Sequence, residues 1–282
     1  GWDGTQARPV TVNTGATMTT DAANTDVNVG TITLNGGTLA GFSSPAWGSW
    51  NLKRVSGAKL LVTENSIVSA PNVGLGTANS IDVSSGKTLT FNGAITDLTS
   101  EGVCALVKSN GTGTLTLTGS NTYTGATTLN TGTTLVNGSL GNTALTVAST
   151  ATLGGSGSIA GATTIHGTHS PGTSAGTQSF GGTLNYSATS HLKWELASNS
   201  TSPGAFDKIT ASGAVTIANG AKIDLVLNAS GSSVALNNSF WTQSRSWTFL
   251  TASGITGSFA LGTISTDSGG RSVSNYGTLS LQ

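Results

Sequence analysis

Eleven acidic and three histidine side chains are the first places to look for chemistry in this chain of 282 residues. A glycosidase needs two carboxylates facing one sugar bond. A polysaccharide lyase needs several acidic Ca²⁺ ligands and a basic proton acceptor. Here the carboxylates stand singly, at Asp3, Asp21, Asp26, Glu64, Asp82, Asp97, Glu101, Glu195, Asp207, Asp224 and Asp267. Only stacking of distant segments would pair them, and Asp207 with Asp224 is the pair to test. Asp207 also has a structural reading, a corner hydrogen bond to backbone amides. His166 and His169 lie three apart in a glycine-rich corner, but no third metal ligand is close in sequence. Both read as solvated corner residues, and His191 stands alone on a strand. So few histidines define no Ser-His-Asp set, and Gly/Ser runs such as 154–157 carry no information about a nucleophile. No Gly-Lys-Ser/Thr marks a phosphate loop. Lys59, Lys193, Lys208 and Lys222 lie in or beside strands and read as exposed or snorkelling, not as crosslinking partners. The lone Cys104 excludes an intrachain disulfide and reads as a small buried apolar residue, with an intermolecular disulfide as the alternative. No catalytic residue, cofactor or metal site is assigned, and the chain reads as a non-enzyme.

The elements that carry these side chains show clearly between Gly111 and Asn137. Thr114, Leu115, Thr116, Leu117 and Thr118 alternate polar and apolar residues, the period-2 pattern of a half-buried strand. Gly119 ends the run, and Asn121 to Gly125 form a polar corner around Tyr123. Thr127 to Leu129 start a second strand, Gly132 breaks it, and Thr134 to Val136 make a third. Each strand buries one or two apolar side chains, too few to fold alone. Stacked turns give every leucine a neighbour above and below, which is how solenoids reach stability. The expected fold is all-β, a right-handed parallel β-helix, with this stretch as its regular coil. Leu115, Leu117, Leu129, Leu135 and Val136 are expected to point inward, as are Leu145, Val147, Leu153 and Ile165. Tyr123 is expected to cap a corner.

Composition narrows the function classes. Eleven basic residues balance the eleven acidic ones. That argues against nucleic acid, which needs a basic face, and against a polybasic membrane anchor. No stretch approaches the ~20 apolar residues of a membrane helix. The 40 glycines have no collagen period and sit at strand ends. Thr, Ser and Asn supply most of the polarity, as on secreted and cell-surface β proteins. The chain begins at Gly1 without a signal peptide, which reads as a processed or truncated start.

No helical spacing appears anywhere along the chain. Strands are expected at 10–12, 27–29, 31–34, 59–63, 80–83 and 88–91. The segment from Gly41 to Lys53, with Pro45, Trp47 and Trp50, reads as a protruding loop or wide corner. After His169 to Gly172 the strands lengthen and gain aromatics, at 183–186, 191–196, 221–227 and 247–250. Two parts follow: 1–171, a β-helix with the regular coil at 111–137, and 172–282, an aromatic-rich continuation of the solenoid or a C-terminal β-rich cap.

The residues from Leu115 to Leu129, followed by Gly132 and Leu135, resemble the autotransporter-associated β-strand repeat of bacterial surface proteins. The repeat core reads LxLxGxNTYxGxTxxxxGxL; Leu115, Leu117, Gly119, Asn121, Tyr123, Gly125 and Gly132 stand at its named positions, and Leu129 and Leu135 accompany them in the same coil. Ser170 to Gly176 resemble the SPGxSxG element that follows in such proteins. Phe206 to Ile209 with Gly213, then Trp247 to Leu250, Gly257 to Phe259 and Gly277 to Leu281, resemble the family's ending. One copy of the core is complete, and neither a translocator barrel nor a Pro-Glu-Pro sorting tail stands in the chain. The resemblance implies secretion, a right-handed β-helix and surface display, without specifying a ligand.

The function expected from this is a secreted bacterial surface protein, structural or adhesive, assembling head-to-tail into an extracellular filament. The alternative is a β-helix that binds or cleaves carbohydrate. The partners expected are further copies of the chain and surface glycans, with no nucleic acid and no membrane-spanning segment. Open coils at the ends of a solenoid invite strand addition. Val10 and Val12 at one end, and an alternating strand from Tyr276 through Leu279 and Leu281 at the other, are the candidate contacts. Phe240, Trp241 and Trp247 are candidates for apolar end or lateral contacts.

Overall fold

The computed structural model describes residues 9–19, 31–41, 49–52, 59–75, 79–97, 103–278 and 280–281. The expected strand at 27–29, Trp47, and Leu279 lie outside these residues, and only the backbone is described for Trp50.

The chain is a parallel β-helix. One eleven-stranded sheet runs from Val10–Asn13 to Ile255–Thr256, and a second runs from Thr17–Thr19 to Ala260–Ile264. A third face consists of a three-stranded sheet, Ser49–Leu52 to Ala94–Asp97, and a six-stranded sheet, Ser120–Asn121 to Leu250–Thr251. Each strand pairs in parallel with the equivalent strand of the next coil, and parallel crossovers of this kind wind right-handed. In the most regular part a coil takes 18 residues, so that Thr127, Leu145 and Thr163 stack. Later coils are longer. The added residues form the 197–205 loop and an irregular segment, 228–249, with a 3-10 turn at Ser239–Thr242.

Alternation places the apolar side chains. On the first sheet Leu129, Val147, Ile165, Tyr186 and Ile217 form one inward column. On the second, Leu89, Leu115, Thr134, Leu153, His169, Leu192 and Ile223 form another. Val68, Phe91, Leu117 and Val136 stack beside it. The expectation for Leu135 is corrected by this register. It pairs with the outward Thr116 and is half-buried, while Thr134 and Val136 face inward. Adjacent residues of a strand cannot share a face, and the Leu117–Val136 stack sets the phase.

The coils pass position 172 without interruption. Thr168–Pro171 pairs with Ala151–Gly155 on one side and with His191–Glu195 on the other. Two further expectations are corrected near the end of the chain. Of the 247–250 run only Leu250 is strand, as the first residue of Leu250–Thr251. The described residues from Tyr276 to Leu281 form no strand and follow a 3-10 turn at Val273–Asn275. They do not add to the free edge of Ala260–Ile264, the last strand of the second sheet.

Candidate functional site

The Asn121–Gly125 corner sits where the third face is interrupted between Ala94–Asp97 and Ser120–Asn121. Asn121 is buried and fills the interruption with its side chain. Its Oδ1 accepts from the Ile95 amide at 3.0 Å, and its Nδ2 donates to the carbonyls of Gly119 at 3.0 Å and Ser139 at 2.9 Å. One amide side chain thus joins three successive coils. Tyr123 does not cap a corner but points into the core, its hydroxyl 2.6 Å from Thr127 Oγ1. A ring of that size fills the coil interior, and the adjacent Thr127 hydroxyl satisfies its polar end. The chain of buried hydroxyls continues through Thr143, which donates to the Gly125 carbonyl. Below the corner, Asp97 accepts from the amides of Cys104 and Thr124, both at 3.0 Å, and from Thr124 Oγ1 at 2.7 Å. Burial raises its pKa, but the bonds from Thr124 and Cys104 outweigh that and hold the carboxyl below its ordinary range.

The glycines of this coil answer to backbone proximity. A Cβ on Gly125 would collide with the Cys104 carbonyl, and one on Gly119 with the Gly93 carbonyl. Gly132 has φ +67° and leaves room for the ammonium of Lys108. Leu115, Leu117 and Leu129 are buried, and Leu135 lies on the outer face.

Lys108, which the sequence did not single out, is fully buried in the first-sheet column above Leu129. Its Nζ donates to the carbonyls of Gly111 at 2.8 Å and Thr131 at 2.9 Å. Burial pushes its pKa down to about 8, against the pull of Asp82. Asp82 itself is paired with Lys59 at 2.8 Å and bonded by Ser109 and the Asn110 amide. The alternation of Leu106, Val107 and Lys108 was the available signal, since it puts Leu106 and Lys108 on one face.

His169 is likewise no solvated corner residue. It is fully buried between Leu153 and Leu192, because its strand continues the second-sheet column. Its Nδ1 lies 2.6 Å from the Tyr186 hydroxyl and its Nε2 2.8 Å from Gln178 Oε1. Gln178 Nε2 donates to the Gly154 carbonyl at 3.0 Å. That fixes Oε1 toward the histidine, so Nε2 carries the proton and Nδ1 accepts from the tyrosine. Burial pushes the imidazole pKa down to about 4, although the Gln178 bond pulls it up. His166 is a half-buried corner residue and His169 makes no approach to it through these bonds.

The carboxylates resolve into separate structural roles. Asp207 is 1% exposed, and its two oxygens accept the amides of Gly176 and Glu195, both at 2.9 Å. It clamps the 172–176 turn onto the end of the His191–Glu195 strand. Burial pushes its pKa up to about 7, opposed by the two amides and reinforced by nearby Glu195. Glu195 is raised mainly by burial and accepts from Ser174 Oγ at 3.3 Å. Asp224 shares none of these partners. It pairs with His191 at 2.6 Å and accepts from the amide and hydroxyl of Thr263 at 2.6 and 2.8 Å. A hydroxyl–imidazole–carboxylate relay needs the hydroxyl on the second ring nitrogen. Here Thr263 donates to the carboxylate itself. Among the described residues no three His, Cys, Asp or Glu side chains gather as metal ligands.

Among the described residues, a concave feature lies at the C-terminal end. A groove of ≈ 740 Å³ opens between the last coils of the second sheet, the 241–249 segment and the chain from Val273 to Leu281. Trp194 forms its floor with Leu225, and edge contacts join Trp194 to Trp247 and Phe249, with ring centroids 5.8 and 6.5 Å apart. Trp241 and Trp247 are half-buried against the core. Their indole N–H groups tie the 197–205 loop through Asn199 Oδ1 at 3.0 Å and the Ser200 carbonyl at 2.9 Å. Phe240 carries Arg245 over its ring at 4.5 Å. Tyr276 and Leu281 line the mouth and remain exposed. At the opposite end Val12 is buried, and Val10 is half-buried on the first strand.

His169 and Asp207 make opposed contributions to stability in mild acid. The imidazole takes up its proton near pH 6.5 in the unfolded chain but near 4 in the fold, so acidification favours unfolding. Asp207 takes up its proton near 7 in the fold and near 3.8 when unfolded, so acidification favours folding. The two effects are expected to offset each other largely between pH 7 and 4.5. A His169→Leu variant, matched to Leu153 and Leu192 in its column, should therefore gain stability over that interval by about 2 kcal/mol relative to wild type. Denaturant titrations at the two pH values check this, and parallel profiles for the two proteins would refute it.

Among the described residues no helix is long and apolar enough to cross a membrane. No family model and no curated protein matches the chain.

Proposed function

We propose that the protein is a secreted structural and adhesive module of a bacterial surface, and that its coils stack head to tail into a filament. The observation that carries this reading is the C-terminal end of the solenoid. Its last strands, Leu250–Thr251, Ile255–Thr256 and Ala260–Ile264, close three sheets, each with a hydrogen-bonded neighbour on one side. Ile255 is 50% exposed there and Leu261 41%, with Ile264 beside Leu261 on the same strand. An end of this kind presents unpaired N–H and C=O groups together with apolar side chains, and a strand in the same direction would satisfy both. A head-to-tail contact is heterologous and does not close, so it propagates. The resemblance of Leu115 to Leu135 to the autotransporter-associated repeat supports the extracellular setting, as does the hydroxyl-rich, weakly charged composition.

Sedimentation across a range of concentrations, with electron microscopy of the same samples, tests the proposal. Wild type is expected to form rods many times the length of one chain. Ile255→Lys combined with Leu261→Lys should leave monomers with an unchanged circular dichroism spectrum. A wild-type chain that sediments as a monomer at every concentration overturns it.

A further inference from the structure

We propose that the C-terminal groove receives Trp2 from the next copy of the chain. This inference rests on the head-to-tail reading and names the side chain that locks the joint. The occupant follows from the groove's chemistry and from reach. The walls contributed by Trp194, Leu225, Trp241, Trp247, Leu261 and Tyr276 suit an aromatic side chain, and Arg245 on the rim suits an acidic neighbour. The sequence before the first strand supplies both, as Trp2 followed by Asp3.

A chain cannot fill its own groove in this way. Trp2 precedes Val10 by eight residues, which extend at most ~27 Å. The groove's nearest wall, Trp194, is on the ninth strand of the second sheet, eight strand spacings or ~38 Å from the first. In a stacked pair the first coil of the next copy lies ~5 Å beyond Ala260–Ile264. The groove is then within ~15 Å of that coil, inside the reach of the eight residues. Only a second copy satisfies the distance.

The test uses full-length chain carrying Trp2→Ala as receptor and a fluorescent synthetic peptide, GWDGTQARPV, as probe in anisotropy titrations. The peptide should bind, and its Trp2→Ala counterpart should bind at least tenfold more weakly. Tyr276→Ala in the receptor should weaken the parent peptide by a similar factor. Equal binding of the two peptides, or none, overturns the inference. If Trp2→Ala polymers match wild type while Trp47→Ala polymers shorten, the groove belongs to another segment and the assignment to Trp2 falls, although stacking stands. Peptide binding by a chain that stays monomeric supports the docking and overturns continuous stacking.

Discussion

Asn121→Ala lowers the free energy of unfolding by about 3 kcal/mol or more. The substitution removes one acceptor and two donors from a buried site and leaves the Ile95 amide and the Ser139 carbonyl without this partner, while the Gly119 carbonyl keeps only the Ser139 amide at 3.1 Å. Each such group costs about 1–3 kcal/mol when it is left unsatisfied away from water. The effect is larger than for an exposed asparagine because its partners belong to three different coils, and the cavity cannot close by moving one of them. Asn121→Asp is the sharper comparison. Aspartate can still accept from Ile95, but it sets a carboxylate oxygen against two carbonyls. It should be at least as damaging as alanine despite its nearly identical shape. Urea unfolding of the two variants decides the matter, and an aspartate variant as stable as wild type would show that the amide does not donate as assigned.

Leu117→Ala is the second large effect, a loss of about 2–5 kcal/mol. Leu117 is fully buried and stacked between Phe91 and Val136. Neither neighbour can move into the vacated space, because each is held in its own coil by the parallel ladders on either side. Leu135→Ala on the outer face provides the internal control and should change stability by less than half as much. Equal losses at 117 and 135 would mean that the inward and outward rows have been exchanged.

Much of this architecture was legible because a solenoid repeats its local rule. Alternation around Leu115 and Leu117, glycine at the corners, and the absence of helical spacing led to the stacked parallel sheets. What misled was local in every case. Thr134, Leu135 and Val136 offer two adjacent apolar residues, and composition favours both as core. Only the partner strand reveals that threonine faces inward and leucine outward. His169 read as a solvated corner residue and Lys108 was not singled out, yet both occupy inward positions of their columns. Burial there depends on carbonyls, a tyrosine and a glutamine supplied by other segments, the nearest of them three residues away and the farthest twenty-three. Asp207 was readable as a corner residue that accepts amides, because Asp does this through its own short side chain. The groove had no sequence signal beyond its tryptophans, since its walls converge from separate stretches spread between Trp194 and Leu281.

The buried polar side chains also act as addresses. In a column of Leu129, Val147 and Ile165 each residue accepts almost any other as its neighbour. A chain winding such coils could omit one of 18 residues and still stack aliphatic on aliphatic. The polar ties do not permit that substitution. Lys108 needs Thr131 of the coil beyond it, Asn121 needs Ile95 before it and Ser139 after it, Gln178 needs Gly154, and Asp207 needs Gly176. Skipping a coil at any of these points strands a buried donor, acceptor or charge. The aliphatic ladder makes winding favourable in many alignments, and these few heteroatoms leave one of them complete.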